Sequence, residues 1–93
     1  MADVPPLPEG ARLALLHWPW GTPTWREISA AAGPAKDGRA RQYRGCVLPL
    51  IRLGLLDELV EYNEQGESVS RRFRLTPAGR RALDEIQSGE AGR

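Results

Sequence analysis

Residues 69–86 change their hydrophobic period without a spacer, and no other stretch of the chain restricts the fold as much. In SVSRRFRL, Val69, Phe73 and Leu75 fall on one side and Ser70, Arg72 and Arg74 on the other. That two-residue alternation is the signature of a half-buried strand. TPAG follows at once. Thr76 is a capping residue, and Pro77 suits the first position of a helix. Ala82, Leu83 and Ile86 then recur at helical spacing. The partner of this strand must come from upstream. LLDELVEY supplies it, with NEQGE and its Gly66 as the turn. The spacing predicts an antiparallel hairpin that feeds a closing helix.

Three helical segments precede the hairpin. EGARLALLHW places either Leu13, Leu16 and His17, or Ala14 and Trp18, at helical spacing before Pro19 and Gly21 stop it. In TPTWREISAAAG, Thr24 and Glu27 are spaced as a capping box, Trp25, Ile28 and Ala32 form an apolar stripe, and Gly33 and Pro34 end the helix. GPAKDG is a turn. RARQYRGCVLPLIRLGLL is expected to form the third helix, basic in its first half and apolar in its second, where Val47, Leu50 and Ile51 share a face. Pro49 is expected to kink that helix, or break it near Gly45. The boundaries are then a flexible arm over residues 1–8, rich in proline, one domain over 9–88, and a frayed tail over 89–93.

A chain of 93 residues with 27% charged and 41% hydrophobic residues fits one small globular domain. The net charge of +1 argues against binding a polyanion by gross charge, so any such role must come from local patches. The single Cys46 excludes an internal disulfide and a multi-cysteine zinc site. No apolar run reaches the roughly 20 residues of a membrane helix, and the acidic, proline-containing start does not resemble a secretion signal. A cytoplasmic protein is expected.

In order, the segments read helix, helix, helix, hairpin, helix. TWREISAAAG resembles the first helix of a helix-turn-helix. VLPLIRLGLL resembles the end of a recognition helix running into a first wing strand, and FRLTPAGRRAL a second wing strand entering a closing helix. Together they resemble the winged helix-turn-helix superfamily, in particular bacterial regulators of the multiple-antibiotic-resistance and phenolic-acid-response types. The resemblance covers most of residues 9–87. It implies an α+β fold, with a three-helix bundle, a two-stranded wing and a C-terminal helix. Two features depart from it. GPAKDG exceeds the usual turn of about 3–4 residues, and Pro49 is unusual in a recognition helix.

The resemblance implies a transcriptional regulator that reads double-stranded DNA with its third helix in the major groove. Lys36, Arg39, Arg41 and Arg44 stand against Asp37 alone, a local charge of +3. Arginine reads guanine and Gln42 could read adenine, while Tyr43 could reach a phosphate. Arg72 and Arg74 on the wing complete the candidate DNA-binding set. The hairpin's five acids, Asp57, Glu58, Glu61, Glu64 and Glu67, outnumber its Arg71, Arg72 and Arg74. The wing arginines are therefore expected to be answered within the hairpin.

Trp25 is expected in the core, and Trp18 and Trp20 to divide between burial and exposure. An exposed tryptophan would suit a contact with a second copy. His17 lacks companion ligands and reads as structural, and Cys46 reads as a small buried hydrophobe. No grouping of catalytic residues or phosphate loop is present, so neither an enzyme nor a cofactor is expected. The other reading is a protein-interaction module that presents the acidic hairpin and an exposed tryptophan to a protein partner.

Overall fold

A computed structural model describes residues 7–91. It is an α+β arrangement of five helices and one two-stranded antiparallel hairpin. Most of the arm expected over residues 1–8 lies outside the described residues. Leu7 packs against the core, and Pro8 is the N-cap of the first helix.

Helix α1 spans Glu9–Leu16. It buries Ala11, Ala14, Leu15 and the following Trp18, so the inner stripe is the one that contains Ala14 and Trp18. Helix α2 spans Trp25–Ala32 and carries the full capping box. The Thr24 hydroxyl accepts from the Glu27 N–H at 3.3 Å, and the Glu27 carboxylate accepts from the Thr24 N–H at 3.2 Å. Two backbone donors that a helix start leaves unpaired are satisfied in this way. Ile28 and Ala32 are buried, and Trp25 is half-buried.

The third helix differs from expectation at both ends of its basic half. It begins only at Tyr43 and forms two short pieces, α3 (Tyr43–Cys46) and α4 (Leu48–Arg52). Residues 33–42 are a long connection instead. Gly33 and Gly38 adopt positive φ. The backbone N–H of Ala35 donates to the carbonyl of Arg39 at 2.9 Å, and the Asp37 carboxylate accepts from the Arg39 N–H at 3.0 Å. These bonds fold residues 35–39 into a closed turn. Gln42 is extended, with φ −92° and ψ 160°. The expected interruption falls at Val47, because Pro49 has no N–H to offer the carbonyl of Gly45 one turn earlier.

Strands β1 (Leu56–Tyr62) and β2 (Ser68–Leu75) pair with Leu56 opposite Leu75 and Glu58 opposite Phe73. The register shifts past Glu61, which leaves Val69 without an opposite residue. This bulge corrects the sequence expectation for Val69. It is 62% exposed rather than facing inward beside Phe73. Helix α5 spans Pro77–Ala91. The Thr76 hydroxyl donates to the Gly54 carbonyl at 2.7 Å and accepts from the Gly79 N–H at 3.0 Å. It caps the helix and ties it to the start of the hairpin.

Leu15, Ile28, Cys46, Val47, Leu50, Phe73 and Leu83 are the largest fully buried side chains. They come from every helix and from β2, so the core is shared by all the elements rather than owned by the helices. The hairpin is stitched to the link before α2, where the Phe73 N–H donates to the Pro23 carbonyl at 2.9 Å. Among the described residues no helix is long and apolar enough to cross a membrane.

Candidate nucleic-acid interface

The eight candidate residues divide into three groups. Lys36, Arg39, Gln42 and Arg44 are exposed. Lys36 and Arg39 lie on the closed turn, Gln42 at the entry to α3, and Arg44 on its first turn. Only Tyr43 and Arg44 of the set are in a helix. The nearest acid to Arg39 is Asp37, 4.0 Å away with both side chains largely exposed. Lys36 and Arg44 have no carboxylate within 4.0 Å among the described residues.

Arg41 and Tyr43 turn inward. The Arg41 side chain is only 12% exposed. Its Nε donates to the Gly33 carbonyl at 3.1 Å, and its guanidinium lies 4.0 Å from the Glu9 carboxylate. The Ser29 hydroxyl donates to the Arg41 carbonyl. Arg41 thus ties α1, the end of α2 and the connection together. Tyr43 stands edge-on to Trp25 with centroids 6.2 Å apart, and tilted against Phe73 at 6.5 Å. This aromatic row joins α2, α3 and β2.

The hairpin arginines are matched. Arg71 lies 3.5 Å from Glu58 and Arg74 lies 3.8 Å from Asp57. Arg72 donates to the Thr22 carbonyl at 3.0 Å and sits 3.9 Å from Glu27 of α2. Glu27 is held below its ordinary pKa, first by its bonds from the Thr24 backbone and hydroxyl, with Arg72 a smaller cause. Toward the tip the balance changes sign. Glu61, Glu64 and Glu67 are exposed, with no cation within 4.0 Å among the described residues. Asn63 orders the tip by accepting from the backbone N–H groups of Gln65 and Glu67 at 3.0 and 2.9 Å.

Two hollows flank residues 40–42, which wall both of them. The larger, of about 500 Å3, lies between α2 and the connection, with Trp25, Arg26 and Ala30 facing Pro34, Ala40 and Gln42. The smaller, of about 390 Å3, includes Asp37, Arg39 and Gly45. The larger hollow brings in Arg26, which the sequence reading passed over. Its guanidinium lies 5.5 Å from the centroid of the Trp25 ring. Its signal was available, since Arg26 lies on α2 away from the Ile28 and Ala32 stripe.

Trp25, expected in the core, is only half-buried against it, whereas Trp18 and Trp20 divide as expected. Trp18 is buried, and Trp20 is 61% exposed with the Arg80 guanidinium 4.9 Å from its ring. Cys46 is fully buried, its thiol donates to the Gln42 carbonyl at 3.3 Å, and burial pushes its pKa up. The reactive thiolate is thereby disfavoured. His17 is the exposed C-cap of α1. Among the described residues no three His, Cys, Asp or Glu side chains are grouped to hold a metal. No protein-family model matches the chain, and no curated protein or solved structure matches it.

Proposed function

We propose that this is a winged helix-turn-helix protein of the cytoplasm that binds double-stranded DNA, with β1 and β2 as its wing and the connection 33–42 together with α3 as its DNA-facing element. The observation that carries the reading is the contrast in charge pairing. Every arginine of the wing has a carboxylate within 4.0 Å, whereas Lys36 and Arg44 have none among the described residues and Arg39 has only a loose, exposed contact. Free, solvated cations are the groups that can replace the counterions of a phosphate backbone. Arg44 and Gln42 stand where α3 begins and supply the base-reading chemistry, while Lys36 and Arg39 contact phosphate. Arg41 serves the site by holding the connection in place.

Fluorescence anisotropy with random-sequence duplex, measured across a salt series, tests this. Binding should weaken steeply with salt. The triple variant Lys36→Ala, Arg39→Ala, Arg44→Ala should lower the slope of log K against log salt by about 0.9 for each phosphate it no longer neutralises. A complete lack of duplex affinity at low salt would refute the reading.

The wing tip favours a second reading, a protein-interaction module. Tyr62 and Val69, 66% and 62% exposed, lie beside Glu61, Glu64 and Glu67. Such a surface suits a basic protein partner, and its acids are repelled by phosphate. Replacing the three glutamates with glutamine should abolish that partnership and leave duplex binding intact.

A further inference from the structure

We infer that the larger hollow, between α2 and residues 33–42, receives a single unstacked nucleobase, so that the preferred ligand is DNA with an unpaired base beside a duplex. The inference rests on the DNA-binding reading and narrows its substrate.

Shape points first to a flat guest. The hollow holds about 500 Å3, within the range of sites that take small molecules. Its walls include Ala30, Gly33, Pro34, Gly38 and Ala40, none of which has a long side chain to fill it. Trp25 adds an aromatic surface, and bases of any identity stack on such surfaces.

The polar groups fit the same guest. Gln42 carries both a donor and an acceptor on one planar amide, the pairing that a base edge requires. Its amide nitrogen is occupied only by the Ala40 carbonyl at 3.4 Å, an exposed and weak bond that a ligand can replace. Arg26 and Arg41 line the hollow and no carboxylate does. Arg41 is engaged by the Gly33 carbonyl and the Glu9 carboxylate, whereas Arg26 has no carboxylate within 4.0 Å among the described residues and lies over the Trp25 ring. The apolar walls suit the neutral ring and Arg26 suits the phosphate attached to it, while Lys36, Arg39 and Arg44 lie on the same stretch of chain as the Ala40 and Gln42 wall. A wholly apolar guest would make no use of the Gln42 amide or of Arg26.

Concavity separates this ligand from a continuous duplex. A stacked base shows only its edge in a groove, and a convex element such as α3 reads it there. A base that fills a hollow must have left the stack, which costs least where it is already unpaired. The hollow and α3 meet at Gln42, so a junction can present a duplex to one and its first unpaired base to the other.

The test compares a blunt duplex, the same duplex with a short single-stranded overhang, and the overhang strand alone, by fluorescence anisotropy. It adds 2-aminopurine at the first unpaired position. The wild-type protein should bind the overhang duplex about tenfold more tightly than the blunt one, the lower part of what one base–aromatic contact contributes. Binding should also change the 2-aminopurine emission. Ala30→Leu fills the hollow from an exposed helical position, where leucine is nearly as good a helix former as alanine. It should remove both effects and leave blunt-duplex affinity unchanged. Ala30→Met fills it from the same helical position with a more pliable side chain, should the first variant melt early.

Equal affinity for blunt and overhang duplexes overturns the inference while the DNA-binding reading stands. So does a preference that survives both filling variants. Failure to bind any of the three nucleic acids overturns both.

Discussion

The Nε of Arg41 donates to the carbonyl oxygen of Gly33, and this bond sets where the third helix can begin. The carbonyl belongs to the residue that ends α2, and its donor lies eight positions on. The Ser29 hydroxyl holds the Arg41 backbone from the other side. Arg41 is thus held against α2 with the extended Gln42 beside it, and the third helix begins only at Tyr43.

Arg41→Ala should therefore destabilise the fold. A hydrogen bond from a charged group contributes about 1.5–3 kcal/mol, and in a domain of this size each kcal/mol moves Tm by about 4–8 °C. Arg44→Ala, at an exposed position, should stay within about 0.5 kcal/mol of the parent. Thermal melts followed by circular dichroism check the pair, and equal melting temperatures would contradict the tethering role of Arg41.

Two glycines of α5 should respond to alanine with opposite signs. A Cβ on Gly79 would lie 2.1 Å from the Leu55 carbonyl oxygen, a backbone atom that cannot step aside cheaply. Gly79→Ala should cost about 1–3 kcal/mol, as overpacking does. At Gly89 a Cβ meets nothing within 4 Å, so Gly89→Ala should gain up to about 1 kcal/mol of helix propensity. Urea denaturation curves report both.

The capping box should give acid sensitivity to α2. The folded pKa of Glu27 is depressed by its bonds from Thr24, so its contribution is present above the unfolded pKa. That contribution is lost as pH falls through the folded value. Glu27→Gln should flatten part of the decline in Tm between neutral pH and the carboxylate range. Thr24→Ala should lower stability by about 1 kcal/mol at neutral pH and flatten the same decline, since it removes the cause of the shift. A decline as steep in both variants as in the parent would refute this assignment.

The hairpin arginines should matter less to DNA than those near α3. Arg71→Ala and Arg74→Ala each unpair a surface carboxylate, a change of about 0–1 kcal/mol in stability. They should leave the salt slope of duplex binding unaltered. Arg44→Ala should reduce that slope by about 0.9. A larger reduction from Arg74→Ala would shift the DNA-facing surface to the wing.

Elements defined by local chemistry were legible in the sequence. The Thr24 and Glu27 box, the Thr76–Pro77 start and the break caused by Pro49 each depend on residues a few positions apart. The start of the third helix was not legible, because it depends on Ser29 and Gly33 reaching residues 8 to 12 positions further on. The inward turn of Arg41 was hidden for the same reason. A buried arginine and a DNA-facing one look alike until the partner carbonyl is located. Val69 was misplaced because a bulge leaves the alternation of residue types intact while breaking the register. The hollow beside Arg26 had no signature at all, since a space bounded by small residues has no pattern of its own.

The bond from the Phe73 N–H to the Pro23 carbonyl also sets a timetable. It joins residues 50 positions apart, and Arg72 and Thr22 repeat the same separation beside it. A growing chain exposes α1 and α2 long before the strand that seats them exists. Those helices share their core with Phe73 and Leu83, so they wait with an open apolar side until the last third of the chain arrives. A chain cut before Ser68 is consequently expected to leave that apolar side uncovered, since the contacts that close it span some 50 positions.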